Sequence, residues 1–405
     1  MTPSVDTSTS TPLTIYPSVE EKTFNAGKVS AIAAAHGAHD TYQAFLPPLL
    51  PVLIERFLLT KTEAGLLSVF LTTPSLLQPL IGYLADRSAL RAFVILTPAI
   101  TAIAMSLLGI APTYWLAVFM LLVAGISSAS LHATGPVLAG RLSANRLGLG
   151  MSLWMVGGEV GRTIGPLIIV LAASTMGMHQ TPWLAAVGIL VSIGMFFQLR
   201  KLPDQHAESR LALPWRKALR ALRPLLVPVA AILLTRAFAF VSVSTFLPTF
   251  MTDEGASLIV AGVSLSVMQA AGVVGAMLAG PLSDRIGRRP LMFFSLTTTA
   301  VFIFLLLNSH GWWHFPVLIG LGFGLLSMTP VVMAIVQESF PENRALANGI
   351  YMAVTFVSSS LATVAIGAIS DLFSLRTAFI TSGLLALIGL PALFWLPLSR
   401  NTPSS

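Results

Sequence analysis

Two stretches of this 405-residue chain carry titratable and charged side chains inside apolar runs. In Trp154–Pro166, WMVGGEVGRTIGP, Glu159 and Arg162 stand three residues apart, within pairing reach on a helix. A charge at the centre of a bilayer costs roughly 2.5–3.5 kcal/mol on insertion scales, so two in one turn require a role. One role is a self-neutralising pair that locks helix packing. Desolvation offsets most of the attraction in such a pair, and the favoured reading is a pair facing a polar cavity. In the second stretch, His36, His39, Asp40 and Gln43 fall at i, i+3, i+4 and i+7, one stripe of a helix. Asp and His can exchange protons, His natively near neutral pH. This stripe is expected to bind substrate or protons, with interhelical hydrogen bonding as the plain alternative.

Three further side chains join the candidates. Arg236 lies in mid-span with no acid within a turn. It is expected to meet Glu159, Asp40 or an anionic substrate, so that Arg162 and Arg236 balance Glu159 and Asp40. His132 is a lone histidine near one end of its span, as readily a satisfied hydrogen-bonder as a ligand. Glu338, beside Gln337, ends another span and suits a polar cap, a gate or a substrate contact. His36, His39 and Asp40 imitate metal ligands but lack further clustered partners in the sequence. No metal and no cofactor are therefore expected, and a membrane enzyme is set aside.

These residues need elements that hold them in an apolar medium. The composition is 55% hydrophobic and 10% charged, against about 25% charged in a soluble domain. Without cysteine there is no disulfide and no thiolate ligand or nucleophile. Twelve runs are long enough to span, at about 20 residues each: roughly 30–54, 64–84, 92–111, 114–139, 147–173, 181–199, 225–250, 258–282, 290–308, 313–338, 346–369 and 376–397. They are expected to be helical, because backbone groups in lipid must be satisfied internally. Of 23 Lys and Arg, two (Arg162, Arg236) lie within spans and three (Arg56, Lys61, Arg376) opposite the N-terminus, leaving eighteen on the N-terminal side. That bias places both termini in the cytoplasm and explains the +7 net charge without nucleic acid. The expected divisions are a tail 1–29 with no cleavable signal pattern, a six-helix bundle 30–199, a linker 200–224, a second bundle 225–397 and a tail 398–405. The linker is expected to carry an amphipathic helix around Trp215–Leu222.

The halves echo one another. GYLADR (Gly82–Arg87) and GPLSDR (Gly280–Arg285) set Asp86 and Asp284 198 residues apart, the offset that also separates Arg146 of ANR from Arg344 of ENR. FLP recurs at Phe45 and Phe246. Paired six-helix halves mark secondary transporters, whose sites lie between the halves. Pro47, Pro48 and Pro51 are expected to bend span 1. Gly157, Gly161 and Gly165 make a smooth ridge on span 5 for close helix packing, followed by Pro166.

GPLSDRIGRRP (Gly280–Pro290) resembles the loop signature of the major facilitator superfamily, Gly-x-Leu-Ala-Asp-Arg-x-Gly-Arg-Arg. GYLADRSALR resembles it too, but lacks its second Gly and one Arg. GRTIGP (Gly161–Pro166) is similar to the fifth-helix Gly–Pro motif of antiporters in that superfamily. HGAHD (His36–Asp40), SSASLHATGP (Ser127–Pro136), VGG (Val156–Gly158) and QESFPENR (Gln337–Arg344) resemble the fosmidomycin resistance group within it. Glu159 and Arg162 depart from that group, whose pattern has small polar residues there. The resemblance implies an all-α polytopic fold of two pseudo-symmetric six-helix bundles. It implies gating by Gly82, Asp86 and Arg87 and by Gly280, Asp284, Arg285, Gly287, Arg288 and Arg289, with Glu338 nearby. It further implies proton-driven export of a small drug such as an anionic phosphonate from the bacterial inner membrane. Uptake of a small organic anion by proton symport is the alternative. A nucleotide-driven pump is excluded by the absence of a Gly-x4-Gly-Lys-Ser/Thr loop. The implied partners are a small-molecule substrate, protons and lipid, with the chain acting as a monomer.

Overall fold

Proline placement decides how the first span is built. Pro47 and Pro48 have no N–H to offer the carbonyls of Gln43 and Ala44, so two successive rungs of the helix are lost there. The computed structural model, which describes residues 23–78, 80–81, 90–202, 215–339 and 344–396, breaks the segment into α1 (Ala26–Gln43) and α2 (Leu46–Phe57). Pro248 does the same in the second half, between α8 (Trp215–Ser244) and α9 (Leu247–Asp253). Phe45 and Phe246 sit at the two breaks, both with no exposed surface. The repeated Phe-Leu-Pro is thus one structural device used twice.

Between these elements lie α3 (Lys61–Thr72), α4 (Leu90–Leu107), α5 (Tyr114–Leu142), α6 (Leu147–Thr175) and α7 (Ala185–Leu199). After them come α10 (Leu258–Ile286), α11 (Arg288–Asn308), α12 (His314–Glu338), α13 (Arg344–Leu372) and α14 (Leu375–Ile388). No strand occurs among the described residues. Among the described residues ten helices are long and apolar enough to cross a membrane, and they coincide with the expected spans 3 to 12. The segments expected as spans 1 and 2 are α1–α2 and α3. The helix expected over Trp215–Leu222 is the unbroken start of α8; Ala218, Leu219, Ala221 and Leu222 are strong helix formers that carry it forward. The tails fall largely outside the described residues, as do 203–214 of the linker and Gly82, Asp86 and Arg87 of the first loop signature.

Each half has its own apolar cores. In the first, one cluster gathers Phe45, Leu49, Leu67 and Met105 and another Ile32, Val94, Leu131 and Trp154. In the second, one gathers Phe246, Leu265, Ile303 and Phe379 and another Ile232, Leu296, Val332 and Tyr351. The halves meet where α6 packs on α10, α3 on α13 and α2 on α9. Glycines permit the approach. A Cβ on Gly65 would stand 2.9 Å from the Thr363 methyl and 3.0 Å from the Phe246 ring, and one on Gly367 would stand 2.5 Å from the Thr62 Cα. These contacts lie toward the side opposite the start of α1, the far side. There Lys61 Nζ pairs with Asp253 across the halves at 2.8 Å.

Candidate substrate and ion site

The glycine ridge of α6 runs along α1. Cβ atoms on Gly157, Gly161 and Gly165 would strike the carbonyl oxygens of Ala33, Gly37 and Thr41 in turn. Backbones this close let side chains from one helix reach over the other. Trp154 of α6 stacks on His36 of α1, ring centroids 3.7 Å apart and planes 12° from parallel. The next turn, Gly158, has no side chain because the space is taken; a Cβ there would collide with His36 and stand 3.0 Å from Asp40 Oδ2. Pro166, one residue past the ridge, is buried beside α10, its carbonyl 3.1 Å from a Cβ built on Gly262.

Asp40 is the hub. It is 3% exposed, and its Oδ2 lies 3.3 Å from Arg162 Nε and 3.4 Å from His36 Nε2. Arg162 Nη2 donates to Glu159 Oε1 at 2.8 Å. One half-exposed guanidinium therefore bridges two carboxylates on two helices. Asp40 Oδ1 is buried without a hydrogen-bond partner and lies 3.8 Å from His132 Nε2 of α5.

The two histidines have their tautomers fixed by the backbone. His36 Nδ1 lies 2.9 Å from the Trp154 carbonyl oxygen, and His132 Nδ1 lies 2.9 Å from that of Ser128. A carbonyl only accepts, so each Nδ1 carries the hydrogen and each neutral ring turns a bare Nε2 inward. These two nitrogens are 3.3 Å apart. His132, a lone residue in the sequence, thus supplies the clustered partner that His36 and Asp40 lacked; His36, Asp40 and His132 present ligand atoms within 4.8 Å of one another. The sequence-based exclusion of metal ligands rested on that missing partner, and the tertiary arrangement removes its basis.

The rest of the expected stripe divides. His39 is fully buried with neither ring nitrogen hydrogen-bonded, its ring centroid 6.0 Å from that of His132. Gln43 turns aside and donates to the Ala124 carbonyl oxygen of α5 at 3.0 Å. Arg236 does not join the network. It donates to Thr329 Oγ1 at 2.7 Å and to the Leu325 carbonyl oxygen at 3.1 Å on α12, with its guanidinium 5.3 Å from the Phe240 ring centroid. Among the described residues no carboxylate forms an ion pair with it. Its position on α8 turns it into the packing of its own half. The expected balance of two arginines against two acids is corrected accordingly: Asp40 and Glu159 face Arg162 as their one arginine, and with His36 and His132 neutral the set is one positive charge short.

The second loop signature is ordered by one arginine. Arg288 Nη2 lies 2.9 Å from Asp284 and 2.5 Å from Glu338, tying α10 and α11 to the end of α12. Arg289 donates to the Leu396 carbonyl oxygen, while Arg285 is exposed and a Cβ on Gly280 would meet open space. Gly287 joins α10 to α11 at φ 95° and ψ 154°, backbone that only glycine adopts readily. These contacts stay within the second half. Trp154, Gly158, Ser128 and Thr329 were missed by sequence reasoning. The adjacent glycines Gly157–Gly158 were a signal for the second, and Ser128 and Trp154 lay within motif stretches without being singled out; nothing local marked Thr329.

The family model of the Major Facilitator Superfamily matches residues 32–279 and 255–405. The chain belongs to the Major Facilitator Superfamily. This facilitator is a multi-pass membrane transporter and not an enzyme. It is 24% identical over 385 residues to the fosmidomycin resistance protein of Escherichia coli, covering 93% of this chain and 94% of that protein. It is 25% identical over 377 residues to the class C tetracycline resistance protein of Escherichia coli, covering 85% of this chain and 91% of the relative. The fold is similar to that of a bacterial homologue of the human lysosomal transporter Spinster solved in an inward-facing, unoccupied conformation. There the TM-score is 0.75 at 15% identity, covering 93% of this facilitator and 98% of that chain. The nucleoside transporter NupG aligns with a TM-score of 0.75 at 13% identity, covering 92% and 100%.

Proposed function

We propose that the facilitator is an antiporter of the bacterial inner membrane that exports a small drug or anionic metabolite, such as a phosphonate, in exchange for protons. It works as a monomer by alternating access, with both termini cytoplasmic. The observation that carries this reading is the position of Arg162, half exposed and bridging Asp40 and Glu159. A planar guanidinium matches carboxylate and phosphate-like groups in two-point geometry. An arriving anion competes with Glu159 for Arg162. Glu159, a quarter exposed and released from its partner, is the carboxylate that a proton can neutralise; exchange requires anion and proton to occupy this pair in turn, and their joint binding is the mark of the uptake alternative. The names of the two resistance relatives favour export of a drug.

Proteoliposomes test the coupling. Fosmidomycin and simple alkylphosphonates should drive proton flux in the wild type. Glu159→Gln should still bind the anion but move no coupled proton. Normal proton coupling in Glu159→Gln would reduce the Glu159–Arg162 pair to packing. Direction is read in cells: overproduction should lower drug accumulation, and a protonophore should abolish the effect. Raised accumulation would instead favour proton-coupled uptake of a small organic anion.

A further inference from the structure

We propose that His36, His132 and Asp40 form a binding site for a divalent transition-metal ion of the zinc class. The ion is held by the two Nε2 atoms and an Asp40 oxygen, with its fourth position open. Three independent features of the geometry lead there.

The first is spacing. Zinc binds imidazole nitrogen at about 2.0–2.1 Å in tetrahedral geometry, which sets two such nitrogens roughly 3.3–3.4 Å apart. The His36 and His132 Nε2 atoms are 3.3 Å apart, and the carboxylate oxygens of Asp40 lie 3.4 and 3.8 Å from them.

The second is orientation. Histidines that ligate a metal donate their other ring N–H to a carbonyl or carboxylate, which fixes the tautomer and aims the ring. Both rings here do so, to the Trp154 and Ser128 carbonyl oxygens. Stacking on Trp154 and the lack of a Gly158 side chain hold the His36 ring in that pose.

The third is electrostatic. Two bare nitrogen lone pairs facing one another beside a carboxylate repel unless a proton or a metal cation lies between them. Asp40 Oδ1 is buried and unpartnered. Asp40 and Glu159 outnumber Arg162 by one charge, so with neutral imidazoles the pocket is negative and attracts a cation. Nitrogen and oxygen donors with no thiolate suit Zn²⁺, Co²⁺ or Ni²⁺ over Ca²⁺ or Mg²⁺, which take oxygen shells.

The site shares Asp40 with the transport network, but its test reads binding without transport, so it stands or falls separately from the antiport reading. The full chain, purified in detergent through a tag without histidine, is titrated with Co²⁺. A four-coordinate site gives intense visible ligand-field absorption, which Zn²⁺ should then displace at one ion per chain. His132→Asn and Asp40→Asn should each weaken binding about tenfold or more. The double variant His310→Gln/His314→Gln, at and just before the start of α12 in the other half, should bind as the wild type does. Co²⁺ should also quench Trp154 emission through the stacked His36 ring. Trp154→Phe should lose that quenching, which assigns the signal to the tryptophan stacked on His36. Absence of the intense bands overturns the proposal. So does binding unchanged in His132→Asn, or quenching that persists in Trp154→Phe.

Discussion

Asp371, at the end of α13 in the second half, caps the start of α3 in the first by accepting from Thr62. Its Oδ2 takes the Thr62 backbone N–H at 3.0 Å and the Thr62 hydroxyl at 2.6 Å, while Oδ1 takes the Lys61 N–H at 2.6 Å. Thr60 and Glu63 satisfy each other's N–H in a capping box. The free N–H groups of this helix start are thus divided between local residues and a carboxylate from the other half. A side chain that caps a helix across a domain boundary ties the two halves together on the far side.

Asp371→Ala should therefore favour opening of the far side. Loss of a capping acid costs about 0.5–2 kcal/mol, which is roughly 2- to 30-fold in an opening equilibrium. The chain has no cysteine, so Thr363→Cys, behind this contact, gives a single labelling site. Its maleimide labelling should speed up in the Asp371→Ala background. Equal rates in both backgrounds would show that the cap does not restrain opening.

Removing Arg162 should hurt more than removing Glu159. Stripping one partner from a fully buried pair costs about 3–5 kcal/mol. Arg162 is half exposed, so about 1–3 kcal/mol is expected for Arg162→Gln, which leaves buried Asp40 without its guanidinium. Glu159 is more exposed than Asp40, and Glu159→Gln should cost less. Asp40→Asn should restore part of the loss in the Arg162→Gln background. Thermal unfolding of the four proteins in detergent checks the order.

Gly161→Ala and Gly158→Ala should separate packing from site geometry. The Gly161 methyl would meet the Gly37 carbonyl, which is backbone and cannot yield. The helices must part, at a cost of about 1–3 kcal/mol or more, seen as a lowered melting temperature. The Gly158 methyl would meet the His36 ring, so this variant should lose substrate response out of proportion to its stability.

Arg288→Ala should slow transport more than Asp284→Asn. The first change releases both Asp284 and Glu338, while the second leaves the contact to Glu338 in place. Both proteins should insert normally. Asp86→Asn in the first loop signature should also slow transport. Rates equal to wild type at matched expression in all three would remove the loops from gating. Gly287→Ala should cost about 1–3 kcal/mol, because φ 95° with ψ 154° excludes a side chain.

The sequence by itself determined the helical class, ten of the membrane spans, the internal repeat and the superfamily. Those properties follow from apolar run length and from motifs local in the chain, and a bilayer leaves helices little competition. It also determined that Glu159 and Arg162 pair, since three residues on a helix bring side chains together whatever surrounds them. Only the tertiary structure decided which residues share a site. His132 joins His36 across 96 positions because α5 packs on α1, while Gly157, Gly161 and Gly165 draw α6 onto α1 and bring the Trp154 ring and carbonyl to His36. Arg236, equally charged and equally mid-span, is taken by Thr329 instead. Span periodicity reports which side of a helix is polar; which neighbour that side meets depends on how the helices cross, and that is set by packing between distant segments.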